Sequence, residues 1–184
     1  IFTTIKDSAV SAGLDEETAN ANAAVLSSFY NTMSARYGVD AWELFSKRAL
    51  SIQKTQDGNI AIEGTSYSQE GKGQITFGDK QTVINLFGTA DKSTLIHEVS
   101  HLMLEEFSGI GTKGSAVTGA MEDWNTLADW LGTERGKGVS TEAHEKFARA
   151  METYLMTDRA PTSRLQNVFA TFRQWLMDIY HNVK

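Results

Sequence analysis

Hydrophobic residues change their repeat twice along this chain, and that switch constrains the fold more than any other feature of the sequence. From Leu14 to Tyr37 the apolar positions Ala21, Ala24, Val25, Phe29 and Met33 recur at helical spacing, and Gly38 supplies a stop. Ala41 to Ala49 reads as a further short helix, so residues 1–49 are expected to form a helical N-terminal arm. The middle is different. Leu50–Lys54, Asn59–Glu63, Gln74–Phe77 and Thr82–Phe87 are short β-branched or aromatic runs, separated by Asp57-Gly58, Gly71-Lys72-Gly73 and Gly78-Asp79-Lys80. These predict a small, mostly antiparallel sheet of three or four strands, with the polar stretch Gly64–Gly73 as a loop.

From Asp91 onward the helical repeat returns. Asp91 or Ser93 can cap a helix to about Phe107, which Gly109 is expected to stop. A glycine-rich connector through Gly109, Gly111, Gly114 and Gly119 leads to a helix from Met121 to Leu131, ended by Gly132. Ser140 or Thr141 caps a helix to about Met156, and Pro161 suits the first turn of a last helix to about Tyr180. Helices on both sides of a small sheet give an α+β fold, with residues 50–184 as its main domain.

Composition narrows the functional classes. The chain has 184 residues, 41% hydrophobic and 22% charged, with a formal net charge of -6. That balance suits a globular protein with a real core and argues against a nucleic-acid binder or a basic membrane-surface protein. No apolar run approaches membrane-spanning length and no signal-peptide pattern opens the chain, so a cytoplasmic location is expected. The first residue is Ile1 and not Met, which suggests a piece of a longer polypeptide. There is no cysteine, so thiolate chemistry is excluded and any metal ligands must come from His, Asp and Glu.

Within that limit one pattern carries chemistry: His97-Glu98-Val99-Ser100-His101. Histidines four apart on a helix share a face, with side-chain roots roughly 5–6 Å apart, so both imidazoles reach one tetrahedral zinc. Glu98 projects about 100° round the helix, poorly placed to bind the ion but close to a water upon it. A carboxylate there can take that water's proton as general base. Chance would supply the pattern in roughly one chain in two hundred of this length, so its setting matters. Leu95, Val99, Leu102, Met103 and Phe107 form an apolar stripe that would hold the helix against the sheet.

Zinc needs a third protein ligand and keeps a fourth position for water. Glu145 is the best candidate, and small Ala148 three residues on would let its helix pack closely against the first. Glu152, two turns or roughly 10–11 Å further along, cannot share the ion with Glu145 but could orient a bound histidine. Glu152 and His144 are the alternatives as ligand, although His144 is rotated off the Glu145 face and is expected at the surface. Tyr154 is turned away, and no sequence argument chooses between Tyr180 and His181 as a further hydrogen-bond donor. Trp124, Trp130 and Trp175 fall at core spacing.

These residues resemble a known family. His97–His101 followed by Glu145-x-x-Ala148-x-x-Met151-x-x-x-Leu155-Met156 is similar to the two halves of ImmA/IrrE-type zinc peptidases, compact gluzincins whose third ligand is the Glu of a Glu-x-x-Ala pattern. The segment around Glu145, then Arg159-Ala-Pro161 and Leu165-x-x-Val168-Phe-x-x-Phe172-x-x-Trp175-Leu-x-x-Ile179-Tyr180, resembles zincin-like domains of large polyvalent proteins of phages and mobile elements. The likeness covers about residues 50–180, and the stretch between His101 and Glu145 is longer than in compact relatives. It implies a zincin-like fold and a zinc metallopeptidase acting on a protein or peptide substrate. His97, His101 and Glu145 would be the ligands and Glu98 the base. Thr82–Phe87 is expected to be the sheet edge on which an extended substrate pairs. The rival expectation is a non-catalytic zinc- or partner-binding module of a larger phage or mobile-element protein.

Overall fold

The computed structural model describes residues 1–38, 48–54, 62–69, 71–113, 118–134 and 136–182. Two helices come first, α1 (Phe2–Ser11) and α2 (Glu16–Tyr37). Four strands follow: β1 (Ala49–Lys54), β2 (Thr65–Gln69), β3 (Gly73–Phe77) and β4 (Gln81–Leu86). Then come α3 (Lys92–Lys113), α4 (Thr118–Leu131), α5 (Thr141–Thr157) and α6 (Gln166–Asn182), with a 3-10 turn at Ser163–Leu165. The fold is α+β.

The ends of α2 are set by local chemistry. The Asp15 side chain accepts from the Thr18 amide at 2.9 Å, Glu16 and Glu17 complement the positive end of the helix, and Gly38 closes it at φ 68°. Its buried face packs on α6, where the Phe29 and Trp175 rings lie 4.4 Å apart and Trp175 Nε1 donates to the Val25 carbonyl at 3.3 Å. Arg36 and Tyr37 both donate to Asp123 of α4, at 2.7–2.8 Å. Most of the expected arm is therefore built into the common core. The expected helix at 41–49 falls largely outside the described residues, and Ala49 itself opens β1.

The sheet runs in the order β1-β4-β3-β2. β1 and β4 are parallel, and the other two pairings are antiparallel. Two expectations fail here. The strand expected at 59–63 is not found at Ile62 and Glu63, while residues 59–61 lie outside the described set; the strand is instead Thr65–Gln69, inside the stretch read as a loop. An edge strand needs only one anchoring side chain, and β2 has one: Tyr67 is buried while Thr65, Ser66 and Ser68 are exposed. The second correction concerns the edge. β4 is paired on both sides, so Thr82–Phe87 cannot offer a free edge; among the described residues the sheet ends at β1 and β2.

α3 starts where expected, with the Thr94 amide donating to Asp91 Oδ1 at 2.9 Å, but it runs through Gly109 to Lys113. A glycine within a helix costs only about 1 kcal/mol, and burial of Phe107 and Ile110 on either side outweighs it. α5 begins at Ser140, whose hydroxyl accepts from the Ala143 amide at 3.2 Å. Pro161 does not open the last helix; it stands in a bend ahead of the 3-10 turn. Trp124 and Trp175 are core residues, while Trp130 is half-buried with Lys146 Nζ 4.4 Å from its ring. No helix among the described residues is long and apolar enough to cross a membrane.

Candidate metal centre

The site forms where α3 packs against α5, with Ala148 fully buried in that contact region. His97 and His101, one turn apart on α3, turn their rings nearly perpendicular with centroids 4.9 Å apart. Glu145 of α5 faces both. Its Oε2 lies 3.4 Å from His97 Nε2 and its Oε1 lies 3.5 Å from His101 Nε2. One ligand atom from each of the three residues falls within 4.8 Å of the others, so the cluster could hold a metal ion. The spacing fits: a tetrahedral ion with bonds of about 2.0–2.1 Å sets its ligand atoms roughly 3.3–3.4 Å apart.

Burial points the same way. Among the described residues, His97 Nε2, both ring nitrogens of His101 and both oxygens of Glu98 are buried without a hydrogen-bond partner. Each such orphan costs about 1–3 kcal/mol, and folded proteins seldom collect several at one spot unless a ligand satisfies them. Burial, with the neighbouring His97 and His144, pushes His101 down to about 2, which keeps the imidazole neutral as a metal ligand must be.

Glu98 lies beside the cluster and under the sheet. Burial pushes its carboxyl up to about 8, and the charge of Glu145 adds to the rise. The Gln69 backbone amide favours the ionised form without reaching hydrogen-bond geometry. The strand above comes so close that a Cβ at Gly73 would lie 3.1 Å from Glu98 Oε1 and 2.7 Å from Thr94 Cγ2, which accounts for glycine there.

Glu152 is the outer member. Its Oε1 lies 2.8 Å from His97 Nδ1, the nitrogen turned away from Glu145. The two carboxylates of α5 thus take different nitrogens of one ring, as their two-turn separation allows.

His144 overturns its expected surface position. It is fully buried, its ring stacks on Tyr67 with centroids 4.1 Å apart, and its Nε2 lies 3.6 Å from Glu105 Oε2. The proximity of His144 holds the Glu105 carboxyl below the usual range against the opposing effect of burial, and Arg48 contributes less. The signal was present in the sequence, because position 144 falls within the apolar arc of Ala143, Phe147, Ala148 and Met151. Tyr67, which also stacks on His101 at 5.2 Å, carries no sequence signal, because its strand shows no apolar alternation. Tyr154 packs against Phe169, as its turn on the helix requires, and His181 is exposed near the end of α6. The Tyr180 side chain lies outside the described set.

Comparison with protein-family models, curated proteins and solved structures finds no match to this chain.

Proposed function

We propose that this chain is a zinc-dependent peptidase of zincin-like type, the gluzincin class its motifs resemble. The observation that carries the proposal is the convergence of two imidazole nitrogens, His97 Nε2 and His101 Nε2, on the Glu145 carboxylate beside a buried Glu98 with no hydrogen-bond partner among the described residues. Two imidazoles and one carboxylate are a donor set suited to zinc, with a fourth position for water. When bound, zinc would act as a Lewis acid on the scissile carbonyl and lower the pKa of water.

The chain's own residues supply the rest. Glu98 takes a proton from the attacking water as its oxygen bonds to the carbonyl carbon, and hands that proton to the amine as the C–N bond breaks. Burial raises the Glu98 carboxyl and so favours handing the proton on, while the positive charge of a bound zinc would favour the ionised form that accepts it. Glu152 fixes the tautomer and ring plane of His97. An extended peptide would pair along β2, the sheet edge whose Tyr67 and Gln69 neighbour His101 and Glu98.

The full burial of Glu98 favours one second reading, a zinc-binding module without turnover within a larger phage or mobile-element protein. Zinc-loaded wild type and Glu98→Gln, incubated with proteome-derived peptide libraries and read by mass spectrometry, separate the two. The peptidase reading expects cleavage by the wild type and a loss of about 10²–10⁴-fold in the variant, with zinc content unchanged. Equal cleavage by both would refute the mechanism. Zinc binding with no cleavage in any library would favour the module.

A further inference from the structure

The two histidines of the candidate centre are held by different means. His97 has a carboxylate behind it, Glu152, at 2.8 Å from Nδ1. His101 has none among the described residues: its Nε2 is turned to Glu145 and its Nδ1 is buried without a partner there. Rotation of an imidazole about its second side-chain torsion is broad, so the plane of His101 must be set by something other than a hydrogen bond.

What faces that ring is Tyr67. The two rings are stacked, with centroids 5.2 Å apart and planes within 19°. Tyr67 also lies 4.1 Å from His144, and His144 lies 5.4 Å from His101, so the three rings meet in a triangle. Tyr67 is the buried residue of β2 and pairs in register with the fully buried Ile75 of β3. An otherwise polar edge strand spends its one anchor on a candidate ligand.

We propose that Tyr67 is a positioning residue that fixes the plane of His101 by ring stacking, in the place that Glu152 fills for His97. The proposal rests on the zinc reading of the site. The ring acts and the hydroxyl does not, because the contact with His101 is made face to face by the two rings. Tyr67→Phe should therefore be silent, whereas a tyrosine acting as a hydrogen-bond donor to the reaction would lose function in that variant.

The test uses cobalt(II) in place of zinc, because its visible absorption reports ligand geometry per bound ion and is insensitive to how stable the fold is. Tyr67→Phe should keep the wild-type spectrum and hold zinc within about twofold, as a ring-only role requires. Tyr67→Leu, similar in bulk but without a flat face, should alter the spectrum and weaken zinc by about 10–100-fold, the range for lost ligand orientation. Tyr67→Trp restores a flat face and should recover part of that loss. A wild-type spectrum in saturated Tyr67→Leu would overturn the proposal, as would an equal loss in Tyr67→Phe. Failure of the wild-type protein to bind either ion would overturn the site reading itself, and this is seen before any Tyr67 variant is compared.

Discussion

Glu98 burdens the metal-free fold with a cost that a single amide removes. Its side chain is fully buried, neither oxygen has a hydrogen-bond partner among the described residues, and its carboxyl is raised from 4.5 to about 8. A carboxyl raised on folding holds its proton more tightly in the folded state. Between those two pH values the folded chain therefore binds more protons than the unfolded one, and stability falls as pH rises. Below the window the group is protonated in both states and adds no ionisation cost; above it that cost is complete, about 5 kcal/mol. Glu98→Gln abolishes this titration. Urea unfolding of the metal-free wild type and variant, compared from about pH 5 to pH 8.5, should show the variant's relative stability growing by about 3–4 kcal/mol. His101, held neutral when folded, destabilises both proteins below its unfolded value of 6.5, and so cancels in the comparison. A difference between the two proteins that stays constant with pH would refute the burial argument.

Three further outcomes follow from the packing. Glu152→Gln should weaken zinc about 10–100-fold in competition titrations, and Glu145→Gln should weaken it more; the reverse order would exchange their roles. Gly73→Ala places a methyl 2.7 Å from Thr94 Cγ2 and 3.3 Å from the Asn85 carbonyl, and should lower stability by about 1–3 kcal/mol in thermal melts, whereas an unchanged midpoint would contradict the close approach. Asp123→Ala leaves Arg36 and Tyr37 without their shared acceptor and should cost about 1–3 kcal/mol in urea, with a neutral result showing that α2 and α4 do not depend on this tie.

What the sequence made legible was whatever depends on local chemistry. α2 and α5 carry their own caps at Asp15, Gly38 and Ser140 together with a helical apolar repeat, and both form close to their expected limits. What failed depended on partners far along the chain. β2 has a single buried side chain, so no alternation marks it, and its pairing with β3 decides its state. The interior place of β4 comes from parallel pairing with β1, and its residues from Thr82 to Leu86 are buried on both faces. Gly109 did not end α3, because tertiary burial outweighed its propensity.

The candidate centre divides in the same way. The His97–His101 pair is a matter of helical spacing and could be read directly. Spacing also showed that Glu145 and Glu152 could not share one ion, but only the packing of α5 on α3 turns Glu145 to the two Nε2 atoms and Glu152 to His97 Nδ1. Tyr67 comes from a strand that the pattern did not reveal.

The most direct measurement is zinc uptake by the purified chain, titrated against a chromophoric chelator, for wild type, His97→Ala and His101→Ala. About one zinc should bind tightly per wild-type molecule, with a loss of more than about 100-fold in affinity for each variant, since two protein ligands alone make a weak site. A wild type that takes up no zinc, or full occupancy in either alanine variant, would contradict the zinc reading of the site.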